Sequence, residues 1–162
     1  SEKVRVFRVG GASRAETVRN GVSTLLEQGL AEAQDNILVH DAARCCLPAE
    51  ALTRLLDEAG ENDEGGILAI PVADTLKRAD GSHHIDETVA RAGLWQAQTP
   101  QLFQTALLHR ALSVDDLSEI TDEASAVEKL GIRPRLVQGD TRNLKLTLPQ
   151  DEYIVRLLLK AV

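Results

Sequence analysis

Aromatic residues are nearly absent from this chain of 162 residues, of which they make up 2%. The hydrophobic core must therefore be built from Ala, Leu, Val and Ile side chains. Basic residues are also in deficit, because 18 Lys and Arg stand against 25 Asp and Glu and give a formal net charge of −7. A general nucleic-acid-binding protein needs a basic surface that neutralises phosphates, so nucleic acid is disfavoured as a partner.

Long apolar segments are absent as well. The longest stretch without a charged residue, 92–108, contains four Gln and Pro100. A membrane-spanning helix needs about 20 mostly apolar residues, and no apolar signal segment stands at the start of the sequence. We therefore predict that the protein does not interact with membranes and is cytoplasmic.

Cysteine is limited to two adjacent residues, Cys45 and Cys46. Two neighbouring cysteines close no useful disulfide loop, and neither a CxxC motif nor the Cys/His spacing of a zinc site is present. We predict a reduced pair in a cytosolic protein. Cofactor or redox chemistry is the less favoured alternative.

Short apolar runs alternate with amphipathic stretches along the chain, whose length fits a single domain spanning residues 1–162. The unbroken runs at 36–40 and 66–72 are typical of strands buried on both faces, as in a parallel sheet covered by helices. Apolar residues interleaved with Arg5 and Arg8 predict a further strand at 4–9. Helical spacing of apolar residues predicts helices around 15–26, 52–59, 103–112, 122–130 and 150–161. Strands that alternate with helices indicate an α/β domain with a mostly parallel sheet.

One segment, 73–91, does not fit a compact sheet because it is polar on both faces. Asp80-Gly81 stands between two strand-length arms, which is a strong signal for a β-hairpin. Since an isolated two-stranded hairpin is marginally stable in water, we predict that this β-arm packs against a second subunit. The alternative is a mobile surface hairpin.

Polar residues after two predicted strands are candidates for ligand binding, since ligands of open α/β sheets bind beyond the carboxyl ends of the strands. Asp41 follows the run 37–39 and precedes small alanines, which leaves room for a hard cation and a phosphate. A helix cap or a turn is the alternative role for Asp41. Gly10-Gly11 allows close approach of a ligand, although neither the dinucleotide fingerprint nor the P-loop is present; a tight turn without a ligand is the alternative.

Cations also occur near predicted strand ends. Arg44 follows Asp41, Arg91 ends the β-arm, and Lys145 lies in a predicted last strand that also contains Asn143. A lone surface cation is usually solvated. A site that collects these three in an acidic protein is suited to phosphates, because Arg supplies paired donors and Lys a point charge. No pairing of a nucleophile with a base is apparent, and the four histidines are interpreted as solvated or structural.

Six blocks in this order resemble one enzyme family. They are 10–18 (GGASRAETV), 40–44 (HDAAR), 74–77 (DTLK), 93–103 (GLWQAQTPQLF), 121–125 (TDEAS) and 143–147 (NLKLT). Together they are similar to 2-C-methyl-D-erythritol 4-phosphate cytidylyltransferase of the non-mevalonate isoprenoid pathway. The resemblance covers nearly the whole chain.

The resemblance implies a Rossmann-like nucleotidyltransferase fold, with a mostly parallel twisted sheet, helices on both faces and a protruding β-arm at about 73–91. It implies a homodimer joined through that arm. The implied reaction joins CTP and 2-C-methyl-D-erythritol 4-phosphate to give the CDP-alcohol and pyrophosphate, by in-line attack at the α-phosphate with Mg²⁺.

The resemblance also assigns roles to individual residues. Those that contact the nucleotide would be the Gly11 and Ala12 backbone, Thr17 and Ala42, and Asp41 would hold the metal. Those that hold the methylerythritol phosphate would be Thr75, Arg91, Thr99 and Lys145, helped by Arg44. Thr75 and Arg91 lie on the β-arm and would serve the neighbouring subunit's site. Arg91, Lys145 and Asp41 are the expected catalytic residues.

The chain departs from the family pattern at two points. The glycine-rich segment with an Arg and a Lys that opens the family has no match here, so we expect the chain alone to be inactive. Cys45 stands where the family usually has Pro, which loosens the turn after Asp41.

Two other functions are alternatives to the implied one. The first is a cytidylyltransferase for another polyol phosphate, such as ribitol 5-phosphate. The second is a non-catalytic Rossmann-like binding module.

Overall fold

The computed structural model describes residues 3–161, which form an α/β fold. The helices are α1 Arg14–Glu27, α2 Ala49–Ala59, α3 Thr105–Leu112, α4 Glu123–Glu128 and α5 Asp151–Lys160. The strands are β1 Asn36–Val39, β2 Gly66–Pro71, β3 Leu76–Ala79, β4 Ile85–Val89, β5 Trp95–Gln104 and β6 Arg135–Gln138. Among the helices described, none has the length and apolar character that crossing a membrane requires.

The main sheet has the strand order β1-β5-β2-β6. β2 and β6 are parallel, whereas β5 is antiparallel to both β1 and β2. Three of the four strands thus run in the same direction, as predicted for a mostly parallel sheet, and β5 is the antiparallel exception. The physical reason is the β-arm: it leaves the sheet after β2 and returns the chain beside it, so that Pro71 pairs with Trp95 and β5 must run backwards.

Hydrophobic clusters cover both faces of this sheet. On one face, Ile67 and Phe103 pack against α1, α3 and α4. On the other, their chain neighbours Leu68 and Leu102 pack against α2, because successive side chains of a strand point to opposite faces. The predicted helices on both faces are confirmed. The core is aliphatic as expected, apart from the fully buried ring of Phe103.

The predicted β-arm is also confirmed. β3 and β4 pair as a separate antiparallel hairpin. The Asp80 carboxylate closes the turn by accepting hydrogen bonds from the backbone N–H groups of Ser82 and His84, at 2.8 and 3.0 Å. The residues of the β-arm are largely exposed, as its polar pattern on both faces predicts.

Two predicted strands are not formed by the described residues, and one predicted helix starts later than expected. Residues 4–9 form no strand, and Val4 and Val6 are 69% and 84% exposed; alternating apolar residues need a paired neighbour, and no described strand pairs with them. Residues 143–145 form a loop instead of a last strand. The helix predicted from 103 starts at Thr105, since Phe103 belongs to β5 and fills the core.

Candidate active site

Asp41 lies just beyond the carboxyl end of β1, where the sequence places it. Its backbone N–H donates to the Thr99 hydroxyl at 3.0 Å. The same hydroxyl lies 2.9 Å from Nδ1 of His40, and Nε2 of His40 donates to the Arg44 carbonyl at 2.8 Å. His40 is therefore structural, as predicted. Thr99 lies within β5, and its hydroxyl fixes the Asp41 backbone.

Three cations surround the Asp41 carboxylate. Arg14 donates to Oδ1 through Nη2 at 2.9 Å and Nε at 3.1 Å, while Oδ2 lies 3.4 Å from Nζ of Lys145 and 3.7 Å from Nε of Arg44. The structure brings Asp41, Arg44 and Lys145 together, whereas Arg91, the third cation expected at this site, donates to the Val72 and Ala73 carbonyls. Burial alone would raise the pKa of Asp41, but the hydrogen bonds and charges of Arg14 and Lys145 outweigh it, so the pKa lies below its ordinary value.

Arg14 and Glu123 were missed by the sequence reasoning. Glu123, whose side chain is 2% exposed, accepts from Arg14 through both oxygens, at 2.7 and 3.2 Å. Burial lowers the pKa of Arg14, yet Glu123 and Asp41 more than compensate and raise it. Both residues lie inside the blocks that carry the family resemblance, which is the sequence feature that could have indicated them as site residues.

The loop that carries Lys145 is attached to β5 by Asn143. The Asn143 side chain is fully buried, and its amide donates to the Thr99 carbonyl at 2.7 Å and to Oε1 of Gln98 at 3.2 Å. The Asn143 carbonyl accepts from Nη1 of Arg44 at 2.7 Å. Desolvation by burial lowers the pKa of Arg44 despite the charge of Asp41. These bonds place two cations of the cluster on a rigid base.

Asp41 and Lys145 open onto a common cleft. Two adjoining cavities, of about 260 and 420 Å³, are lined by both residues and by Arg14. A third, of about 320 Å³, is lined by Lys145 and Arg44. The cluster of three cations and two carboxylates carries one net positive charge, and the Asp122 carboxylate also lines one of the cavities. The paired donors of the arginines and the ammonium of Lys145 suit the cleft to an anionic ligand.

Three of the four residues expected to contact a nucleotide, namely Gly11, Ala12 and Thr17, lie at or just before the start of α1. The N–H of Gly11 donates to the Thr17 hydroxyl at 2.9 Å, and that of Ala12 donates to Oε2 of Glu16 at 2.8 Å. Thr17 and Ala42 line the same cavity as Asp41. A ligand that binds these two N–H groups must therefore compete with side chains of the first helical turn.

Thr75 and Arg91 lie elsewhere in this chain. Nη1 of Arg91 donates to the carbonyls of Val72 and Ala73, at 3.2 and 2.6 Å, and so ties the base of the β-arm. Within residues 3–161, the cavities lined by Asp41 include neither Thr75 nor Arg91. That Thr75 and Arg91 contribute to the site of a neighbouring subunit stays a prediction.

We expect Asp41→Asn to be less stable than the parent at pH 7, by about 1 kcal/mol, because three cations lose a partly exposed counter-charge. Since the folded pKa of Asp41 is lowered, its contribution is complete above the ordinary carboxyl pKa and is lost as the pH falls through the folded value. Urea unfolding should therefore show the difference at pH 7 and a smaller one at pH 3.

The control is Asp57→Asn, on an exposed position of α2, which removes the same charge away from the cluster. A destabilisation by Asp41→Asn that matches the control, or that stays constant between the two pH values, would show that the carboxylate is not held by the cations.

Comparison with known proteins identifies the family of this chain. A sequence model of the IspD family, 2-C-methyl-D-erythritol 4-phosphate cytidylyltransferase, matches residues 2–161. The curated protein of that name from Neisseria gonorrhoeae (strain NCCP11945) is 73% identical over 160 residues, which cover 99% of this chain and 69% of that protein. The one from Thiobacillus denitrificans is 52% identical over 162 residues, covering 98% and 68%.

Solved structures agree with these matches. A crystal structure of 4-diphosphocytidyl-2C-methyl-D-erythritol synthase is 71% identical, with a TM-score of 0.92 over 98% of this chain and 72% of that one. The Francisella tularensis IspD is 32% identical, with a TM-score of 0.83 over 92% and 69%. The alternative of a non-catalytic binding module is wrong, because the family and its named relatives are nucleotidyltransferases. The chain belongs to the 2-C-methyl-D-erythritol 4-phosphate cytidylyltransferase family of enzymes.

Proposed function

We propose that the protein joins CTP and 2-C-methyl-D-erythritol 4-phosphate to give 4-diphosphocytidyl-2-C-methyl-D-erythritol and pyrophosphate. Family membership gives the reaction class. The observation that carries the proposal within the fold is the cation cluster on Asp41, which opens onto a cleft at the carboxyl end of β1. Two phosphorylated reactants repel each other, and the cations that line the cleft lower the cost of bringing them together.

The two cations on Oδ2 of Asp41 differ in their freedom to reach a ligand. Arg44 is largely buried and anchored to the Asn143 carbonyl, so it presents a fixed charge. The Lys145 side chain is 48% exposed and contacts Asp41 at 3.4 Å. We infer that Lys145 turns from Asp41 to a substrate phosphate, while Arg44 keeps its position.

The reaction needs little acid–base chemistry from the protein. An ionised phosphate oxygen of the methylerythritol phosphate attacks the α-phosphorus of CTP, and the bond from that phosphorus to the bridging oxygen of the β-phosphate breaks in line with the attack. Pyrophosphate takes the electron pair and leaves. Positioning and charge stabilisation therefore account for catalysis, as in phosphoryl transfer generally.

We propose Asp41 as the protein ligand of Mg²⁺. Its Oδ2 has only long contacts to cations, at 3.4 and 3.7 Å. The described residues contain no group of three or more His, Cys, Asp or Glu that could hold a metal ion. A single carboxylate fits Mg²⁺ that arrives with nucleotide phosphates, since this ion is usually held by one or two carboxylates, phosphates and water. Bound Mg²⁺ neutralises charge on the phosphates.

The cavity beside α1 supports a proposal for the nucleoside. Thr17 and Ala42 line it together with Asp41. A nucleobase in this cavity would therefore lie close to Asp41, the proposed ligand of Mg²⁺. We propose that Gly11, Ala12 and Thr17 contact the cytosine and Ala42 the ribose. Thr99, which is almost fully buried, would act on the second substrate through the Asp41 backbone that it holds.

The β-arm supports a homodimer in which each site is shared. β3 and β4 form a sheet of their own, and Ile85 in β4 is 67% exposed. An exposed hairpin of this length gains stability from a second subunit. We propose that the β-arm of one protomer offers Thr75 and Arg91 to the cleft of its partner.

Lys145→Ala should lower kcat/KM for pyrophosphate release by about 100-fold, because a charge-assisted hydrogen bond to phosphate contributes about 1.5–3 kcal/mol. The assay uses the full-length protein with CTP, Mg²⁺ and either 2-C-methyl-D-erythritol 4-phosphate or ribitol 5-phosphate. Lys129→Ala is the matched control, since Lys129 pairs with Glu119 away from the cleft. Parental turnover by Lys145→Ala would remove Lys145 from the site, and preference for ribitol 5-phosphate would refute the proposed substrate.

Mixing two impaired variants tests the shared site. Arg91→Ala and Lys145→Ala homodimers should both be impaired. After subunit exchange, half of the dimers pair the two variants, and each of these contains one site with both cations intact. We expect recovery to about a quarter of parental activity. No recovery, with dimer exchange confirmed by mass spectrometry, would mean that Arg91 does not act across protomers.

A further inference from the structure

The adjacent cysteines lie in the turn between β1 and α2, directly after Arg44. Their sulfur atoms are 4.0 Å apart and neither is in a disulfide. Cys45 is exposed, whereas Cys46 is half-buried with its sulfur 3.9 Å from the Val155 carbonyl of α5. The turn therefore presents two reduced thiols to the same small volume, one of them open to solvent.

The separation of the sulfurs suits a bridging atom better than a direct bond. Two sulfurs bound at about 2.3 Å, the length of a metal–thiolate bond, to one pyramidal atom with angles near about 95–100° lie about 3.4–3.5 Å apart. The observed 4.0 Å therefore has to close by about half an ångström, which rotation of the side chains supplies. A disulfide needs about 2.0 Å and usually a Cα separation of about 4.4–6.8 Å. Consecutive Cα atoms are about 3.8 Å apart, so a direct bond between these neighbours requires movement of the backbone.

The number of available ligands selects the class of bridging atom. The part of the chain that the structure describes contains no group of three or more His, Cys, Asp or Glu that could hold a metal ion, so a metal that needs three or four protein ligands is not satisfied here. An arsenic(III) atom with one carbon substituent needs two sulfurs only. We propose that Cys45 and Cys46 form a vicinal dithiol site that binds monosubstituted trivalent arsenicals.

The binding step is balanced without an oxidant. Two S–H bonds and the arsenic–oxygen bond of an arsenoxide break, two As–S bonds form, and the oxygen leaves as water with both protons. Arsenic stays trivalent and both sulfurs keep their oxidation state. The exposed Cys45 reacts first, because burial and its interaction with Cys45 raise the pKa of the Cys46 thiol and leave it protonated until the ring closes.

Occupancy of the dithiol site should affect the cleft through Arg44. Its carbonyl accepts from Nε2 of His40, and its guanidinium donates to the Asn143 carbonyl. A ring through Cys45 and Cys46 restrains the peptide next to Arg44, so we expect the adduct to slow cytidylyl transfer. This consequence rests on the proposed function, whereas formation of the adduct does not.

The test uses phenylarsine oxide and the full-length protein in intact-mass measurements with an excess of a monothiol. The parent should hold one arsenical through both thiols and release it to dithiothreitol. Cys45→Ser and Cys46→Ser should each bind at least about 100-fold more weakly, since closing the second As–S bond within the chain provides an effective concentration advantage of about 10²–10⁴. Circular dichroism checks that each variant is folded.

Parental affinity in the folded Cys45→Ser variant would overturn the proposal, and this variant suffices if Cys46→Ser does not fold. Loss of both thiols in the parent without gain of the arsenical would also overturn it, in favour of a direct bond. An adduct that leaves an active enzyme unimpaired would support the dithiol site and refute its effect on Arg44. A parent protein that shows no cytidylyl transfer before the arsenical is added would count against the proposed function and not against the dithiol site.

Discussion

The electrostatic balance at Asp41 is the constraint on which the candidate site depends. Arg14 is matched by the nearly buried Glu123 and by Oδ1 of Asp41, while Arg44 and Lys145 share Oδ2 at 3.7 and 3.4 Å. Three cations face two carboxylates in this cluster, and hydrogen bonds to the backbone hold it together. An anionic ligand in the cleft completes this balance, and exchange of Lys145 between Asp41 and a phosphate provides a simple physical route to binding.

The antiparallel strand β5 makes this cluster possible. It lies between β1 and β2 in the sheet. The Thr99 hydroxyl can therefore hold the Asp41 backbone, while the Thr99 carbonyl accepts a hydrogen bond from the buried side-chain amide of Asn143. The β-arm is what reverses the chain before β5. The same hairpin that is proposed to reach a partner subunit therefore also fixes the direction of the strand beneath the site.

Much of this arrangement could be predicted from local sequence. The apolar run 37–39 predicts β1 and places Asp41 at its end, and Asp80-Gly81 predicts the hairpin. The pairing of Arg14 with Glu123 spans 109 residues and depends on how α1 and α4 meet, which no local pattern contains. Residues 143–147 alternate like a strand, but long-range hydrogen bonds of the Asn143 side chain hold them as a loop. The sequence pattern at 4–9 likewise contains no information about the neighbour that a strand needs.

The most direct test of the account is a crystal structure of the full-length protein with CTP and Mg²⁺. The account predicts that the triphosphate lies in the cleft lined by Arg14, Asp41 and Lys145, with Nζ of Lys145 moved from the carboxylate to a phosphate oxygen. A triphosphate bound on a surface that neither Asp41 nor Lys145 lines would contradict it, because the cation cluster would then be a structural ion-pair network and not a phosphate site.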